Sequence, residues 1–300
     1  MESVIRRRLI GNEELCALLA KQMTSMGIEP AIYYSKAPAD VDLQEGNYPQ
    51  IVFGVDKFTD AIHGVAGLLT VDIICSANTT EPEPIEKLVR ESIEGVFFNP
   101  PDDEIFLLKW SKSEVFTEPA SERIPQVSGV TVTFELYTFP SQVTSTPDPI
   151  LALQEWTANL DVIVIGLSDF GECFTPTRDK PAIYFSMQEE NFVKQTHSVI
   201  WLDGLIRCHV FAPDVHSRRE WLTLFRQEIL FCSHIFLADG SPMRLQDCRL
   251  NFNDNEIQGQ MQLTFQYGLW RQEKHANAPI NPHWSDSVRH INRIPYWHED

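Results

Sequence analysis

Residues 130–139, VTVTFELYTF, alternate apolar and polar side chains, and residues 261–270, MQLTFQYGLW, do so again. With Phe134 aligned on Phe265, Val130, Val132 and Leu136 fall on Met261, Leu263 and Tyr267, and Thr133 falls on Thr264. A period of two puts each apolar set on one face of a strand. The other face carries Thr131, Thr133 and Glu135 in the first stretch and Gln262, Thr264 and Gln266 in the second. One dry face and one wetter face predict an antiparallel sheet packed on one side only.

The correspondence continues upstream. Residues 85–97, IEKLVRESIEGVF, place Ile85, Leu88, Val89 and Ile93 at helical spacing. Residues 221–233, WLTLFRQEILFCS, do the same with Trp221, Leu224, Phe225 and Ile229. Both patterns predict amphipathic helices. Pro82 and Pro84 stand where a helix start tolerates proline, and Ser217 is the expected N-cap of the second helix. A strand following a glycine precedes each helix: GLLTVDIIC at 67–75 and GLIRCHVFA at 204–212. Leu69, Val71 and Ile73 match Ile206, Cys208 and Val210. Before these come PQIVFGV at 49–55 and PAIYFSM at 181–187. Each copy opens with a helical stretch, NEELCALLAKQM at 12–23 or DPILALQEWTANL at 148–160. A short strand follows, AIYYS at 31–35 or VIVIGL at 162–167.

One order therefore occurs twice: helix, short strand, long strand pair, helix, two strands. Equivalent points lie about 130–137 residues apart. The pattern predicts an α+β fold of two similar domains, each a mostly antiparallel sheet packed on one side by two helices. The expected boundaries are 1–140 and 148–270, joined by the small, polar linker SQVTSTP at 141–147. Residues 271–300, rich in Pro, His and Trp, are expected to form an extended C-terminal arm.

Composition narrows the function classes. The chain has 300 residues, 43% hydrophobic and 22% charged, as soluble globular proteins do. Forty-two acidic against 24 basic side chains leave a net charge of −18. That excess disfavours binding to nucleic-acid phosphates and suits a surface past which DNA slides. The N-terminus lacks the apolar core of a signal peptide, and no apolar run reaches bilayer length. Six scattered cysteines without a CxxC pair are expected to be reduced core residues of a cytoplasmic product.

No catalytic, cofactor-binding or metal-ligating set emerges. HExxH and CxxC are absent, and His275, His283, His290 and His298 are widely spaced. Cys208 and His209 are neighbours on a strand and point to opposite faces. GLSDFG at 166–171 has Phe170 where a nucleophile elbow needs glycine, so Ser168 belongs to a turn. No phosphate-binding glycine loop is present. The acidic pairs Asp102–Asp103 and Glu189–Glu190 are expected in solvated loops. An enzyme is not expected, and neither is a cofactor. Two features suggest subunit contacts instead. Arg6, Arg7 and Arg8 are the one compact basic run, suited to the acidic surface of another copy. Trp284 and Trp297 are aromatic anchors for docking the arm.

The order within each half resembles the tail-terminator, or tail-completion, family of bacteriophages and related contractile, phage-tail-like particles. The residues that carry the likeness are NEELCALLAKQM, YPQIVFGV, KFTDAIHGVAGLLTVDIIC, EPIEKLVRESIEGVF, EIFLLKWSKSEVF and GVTVTFELYTF. It covers 9–140 well and 148–270 more loosely, through KPAIYFSM, WLDGLIRCHVFAP and MQLTFQYGLW. Family members are usually one domain per chain, and a tandem copy departs from that. The resemblance implies a structural subunit, without catalytic residues, whose ring caps a tail tube and joins it to the next component. Its implied partners are further copies of itself, as trimer or hexamer, and tail tube, sheath or head–neck proteins. DNA would pass the lumen without specific binding, and no membrane is involved. The implied location is a virion or tail-like particle assembled in the bacterial cytoplasm. Two other readings stay open. One is another virion adaptor, such as a head–tail connector or baseplate component. The other is a two-domain enzyme or ligand-binding protein with a site between the halves.

Overall fold

A computed structural model describes residues 1–24, 27–37, 47–62, 64–76, 81–120, 126–142, 144–232 and 234–270. Helices and mostly antiparallel strands are mixed within it. The first half runs α1 (Glu2–Ile10), α2 (Glu13–Leu18), β1 (Lys21–Thr24), β2 (Gly27–Pro30), β3 (Ile32–Tyr34), β4 (Gln50–Ile62), β5 (Val65–Ser76), α3 (Glu83–Ile93), β6 (Phe97–Phe98), β7 (Ile105–Glu118) and β8 (Val127–Phe139). The second runs α4 (Pro149–Ala158), β9 (Ile163–Val164), β10 (Cys173–Phe174), β11 (Ala182–Gln195), β12 (Val199–Phe211), α5 (Val215–Phe231), β13 (His234–Phe236), β14 (Pro242–Leu250) and β15 (Met261–Trp270).

The first sheet has the order β10-β6-β7-β8-β5-β4-β3, and the second β13-β14-β15-β12-β11-β9. Without β10 the two orders correspond strand for strand. In each, the short strand at one edge runs parallel to its neighbour, β3 on β4 and β9 on β11, and every other pair is antiparallel. β1 and β2 form a separate hairpin.

Each sheet buries one face under helices. Val130, Val132, Phe134 and Leu136 lie in the first core, and Met261, Leu263, Phe265 and Tyr267 in the second, as the alternation requires. Three helices cover the first sheet rather than two, because Val4, Ile5 and Leu9 of α1 enter its core beside Leu15 of α2 and Ile85, Val89 and Ile93 of α3. The helix expected over 12–23 is shorter. Asn12 caps it, its side chain accepting Leu15 N–H at 3.0 Å. Leu19 is already extended, and Lys21–Thr24 pairs with Gly27–Pro30. The helix expected over 85–97 stops at Ile93. Gly95 takes φ +70°, which glycine tolerates, and turns the chain so that Phe97 and Phe98 can pair with β7. Asp214, not Ser217, caps α5, and its carboxylate accepts both Ser217 N–H and Ser217 Oγ–H. Glu189 and Glu190 lie in β11 rather than in a loop.

The register shows where the halves part. Ile32, Ile51, Ile73 and Val130 form one row across β3, β4, β5 and β8. Val164, Ile183 and Val210 form the matching row across β9, β11 and β12. That row has no fourth member, because β15 begins only at Met261, opposite Cys208. The Gln260 side chain finishes it: its Oε1 accepts Val210 N–H at 3.0 Å and its Nε2 donates to Val210 O at 3.1 Å. Phe134 stands opposite Leu69, and the residue opposite the matching Ile206 is Leu263, not Phe265. The closing strand of the second sheet is thus two residues out of step with the sequence alignment.

The faces away from the helices are not left to solvent at one end. Phe97, Leu107, Tyr137 and Phe139 of the first sheet pack against Ile163, Ile165, Ala182, Tyr184 and Phe211 of the second. The rings meet edge to face: Phe97 on Phe211 at 4.9 Å, Phe139 on Tyr184 at 5.1 Å and Phe139 on Phe211 at 5.4 Å between centroids. Single-sided packing therefore holds for part of each sheet only. β10 crosses this seam to become the seventh strand of the first sheet, pairing Cys173 with Phe98 and Phe174 with Phe97.

Candidate assembly surfaces

The arginine run lies on α1, whose apolar residues face the core. Periodicity turns the next three side chains outward, yet each finds a partner in its own chain. Arg6 Nη2 meets Glu29 Oε2 at 2.7 Å, and Arg6 Nε donates to Ile32 O. Arg8 Nε donates to Ser92 O of α3 at 2.9 Å. Arg7 pairs with Glu172 at 3.0 Å, with both side chains more than half exposed. Such an exposed pair contributes only about 0–1 kcal/mol, so Arg7 is the easiest of the three to redirect to another molecule. Arg7, Arg8, Asn12, Glu91 and Cys173 border an open cleft of about 420 Å³. Trp284 and Trp297 lie outside the described residues.

A second cluster ties the halves together. Glu256, in the loop between β14 and β15, accepts Lys109 Nζ from β7 at 2.6 Å and also Arg218 of α5. Burial alone would raise the Glu256 carboxyl. The Lys109 hydrogen bond and the charges of Lys109 and Arg218 outweigh burial and hold it below the ordinary carboxylate range. The backbone carbonyl of Glu256 lies 3.0 Å from His209 Nδ1, and His209 Nε2 lies 3.1 Å from Ser186 Oγ. Facing a carbonyl, Nδ1 must carry the proton, so Nε2 accepts from the serine. Burial lowers the His209 pKa, which suits this neutral form. Gly259 backs the ring so closely that an added Cβ would stand 3.0 Å from Cε1.

Ser186 and His209 have the contact of a nucleophile and a base, but both are buried. Neither lines the clefts beside α1, α3 and α5 or at the mouth of the seam. Their geometry anchors a loop. Ser168 closes a turn, its Oγ accepting Val164 N–H at 3.0 Å and its N–H donating to Val164 O at 2.8 Å. At the mouth of the seam an open cleft of about 820 Å³ is lined by Asp102, Asp103, Glu104, Ser168 and Asp169, among others. Lys57 there holds Asp103 at 2.7 Å and, by that hydrogen bond, keeps its carboxyl below the ordinary range. Among the described residues no group of three or more His, Cys, Asp and Glu could hold a metal ion. No helix among them is long and apolar enough to cross a membrane. All six cysteines are free thiols, with Cys75 pushed up to about 11 by burial.

Neither the seam nor the roles of Glu256 and Gln260 are expected from the sequence. A signal for the seam existed in the broken alternation of LYTF at 136–139, FF at 97–98 and IYF at 183–185, where consecutive apolar residues need both faces dry. No protein-family model matches the chain, and no curated protein matches it.

Proposed function

We propose that the chain is a tandem duplication of one α+β domain, at 1–140 and 148–270, and works as a structural assembly protein. On this reading it is a ring subunit that caps the tail tube of a phage or phage-tail-like particle and joins it to the neighbouring component. The observation that carries the duplication is the shared order and sense of six strands in two sheets, each with a helix before its last three strands. The aromatic seam favours a structural role, because the space between the halves is filled by Phe97, Phe139, Tyr184 and Phe211 rather than left for a ligand. Two domains locked in one block let three chains close a ring of six units by heterologous contacts. The net charge of −18 suits a lumen that DNA traverses. Arg7 and the arm carrying Trp284 and Trp297 are the contacts assigned to neighbouring subunits.

Mass photometry and negative-stain imaging of the purified chain test the proposal. Closed rings of three or six chains, or particles seated on tube ends, are the expected result. A chain that stays monomeric at high concentration overturns it.

A further inference from the structure

One end of the second sheet lies at the seam, through Ala182 and Phe211, and the other ends on Gln195, Val199 and Trp270. At that free end VIWL at 199–202 and GLW at 268–270 break the alternation, as LYTF and IYF do at the seam. Leu202 and Leu269 pack on the second core, so Val199, Trp201 and Trp270 point to the face away from the helices. At the seam that face is dry. Here Trp270 is 59% exposed, and Val199, Trp201 and Leu205 are only half-buried. Trp201 stands opposite Gly268. A Cβ there would lie 3.6 Å from the Trp201 ring and 2.7 Å from Val199 Cγ1, so glycine lets both side chains close down on β15.

Charge and position choose the occupant. The chain carries a net charge of −18, yet residues 191–202 hold a single charged side chain, Lys194. Two copies can meet there without the repulsion that an acidic surface imposes. Lys194 pairs across the strands with Trp201, and Glu189 with Leu205, so all four share the open face. Lys194 Nζ lies 5.8 Å from the centre of the Trp201 ring, and Glu189 accepts from Asn191 Nδ2 at 3.4 Å; neither Lys194 nor Glu189 forms an ion pair among the described residues. Asn191 and Asp203 form the pair midway between them. A two-fold axis crossing the strands at that midpoint lays Lys194 of one copy on Glu189 of the other, and Trp201 on Leu205. The halves of one chain already meet face to face in this way at the seam. We infer that a second copy of this chain packs antiparallel on the free end of the second sheet, through Trp201, Leu205 and Trp270, with Lys194 and Glu189 paired twice across the axis.

Such a contact is isologous. It joins two chains, or two rings, and needs neither a ring nor a tail. Sedimentation velocity over a concentration series of the full chain, together with mass photometry, tests it. Dimers, or six chains built as two threes, are the expected result. Trp270→Asp alters an exposed side chain and is expected to weaken the two-fold association by about 30-fold or more, with the circular dichroism spectrum unchanged. Lys194→Glu and Glu189→Lys are each expected to weaken it by about fivefold, and the two together to restore it. Asp203 faces its own copy near the axis, so Asp203→Asn is expected to tighten it. An unaltered chain that stays monomeric overturns the inference. So does an assembly that Trp270→Asp leaves intact, or a charge swap whose double variant fails to recover; rings of that kind leave the ring proposal standing. Dimers that never form rings and that Trp270→Asp breaks overturn the ring proposal and bear this inference out.

Discussion

The first and second sheets share six strand positions but not the way their closing strands end. β8 begins at Val127, opposite Ser76 of β5, whereas β15 begins only at Met261, opposite Cys208, and leaves Val210 to a glutamine side chain. The slip between them is two residues. An odd slip would have turned Phe265 to the wrong face, while an even one keeps every buried residue buried. The pair teaches that alternation fixes the face a strand presents, and that register is set separately, here by how far the partner strand extends. A similar inequality holds among the helices, since α1 and its three arginines have no counterpart before α4.

At the seam the halves stop being equivalent and depend on each other. Phe139→Ala removes a ring that touches Phe97, Tyr184 and Phe211. It is expected to cost about 3–5 kcal/mol and to split one calorimetric unfolding transition into two. Next comes the substitute for the missing row. Gln260→Ala leaves a buried N–H and C=O of Val210 without partners, for a loss of about 2–4 kcal/mol in urea unfolding. The corresponding row of the first sheet, completed by Val130, has no side chain in this role. Glu256→Gln strips the charge that Lys109 and Arg218 share. It is expected to cost about 2 kcal/mol, with Lys109→Ala in the Glu256→Gln background adding little, as a double-mutant cycle reads directly.

The smallest effect is pH dependence. Because burial holds the folded His209 below its ordinary 6.5, the unfolded chain takes up a proton that the folded chain refuses. The stability from this site is complete above about pH 6.5 and declines as pH falls below it. Glu256, held below its ordinary 4.5, acts in the same direction only in more acidic solution, where its lost charge releases Lys109 and Arg218. The urea midpoint is expected to fall between about pH 7 and about pH 5, and His209→Gln is expected to flatten that slope.

Much of this architecture was legible in sequence because a half-buried strand writes its burial as alternation. The two closing strands, the long strand pairs and the cores of α3, α4 and α5 follow from it. Three things did not. The helix over Glu2–Ile10 was not expected, and the helix expected over 12–23 ends at Leu18 because Leu19 is extended and Lys21–Thr24 pairs with Gly27–Pro30. Ser217 has the right chemistry for an N-cap, but Asp214 stands three residues earlier and bonds it instead. The two-residue slip is invisible to any period-two argument. Of the candidate contacts, the arginines were found as a run, but their partners Glu29, Ser92 and Glu172 are distant in sequence and only folding brings them near.

β10 carries a consequence for biosynthesis. Phe97 and Phe98 edge the first sheet, and their last partners are Cys173 and Phe174. A ribosome that has released residues 1–140 has released every other strand of that sheet, with the seam partners of Phe97, Leu107, Tyr137 and Phe139 still unmade. The earlier half therefore waits for the later one. During that interval an apolar surface is offered to chaperones, or to the same surface on a neighbouring nascent chain.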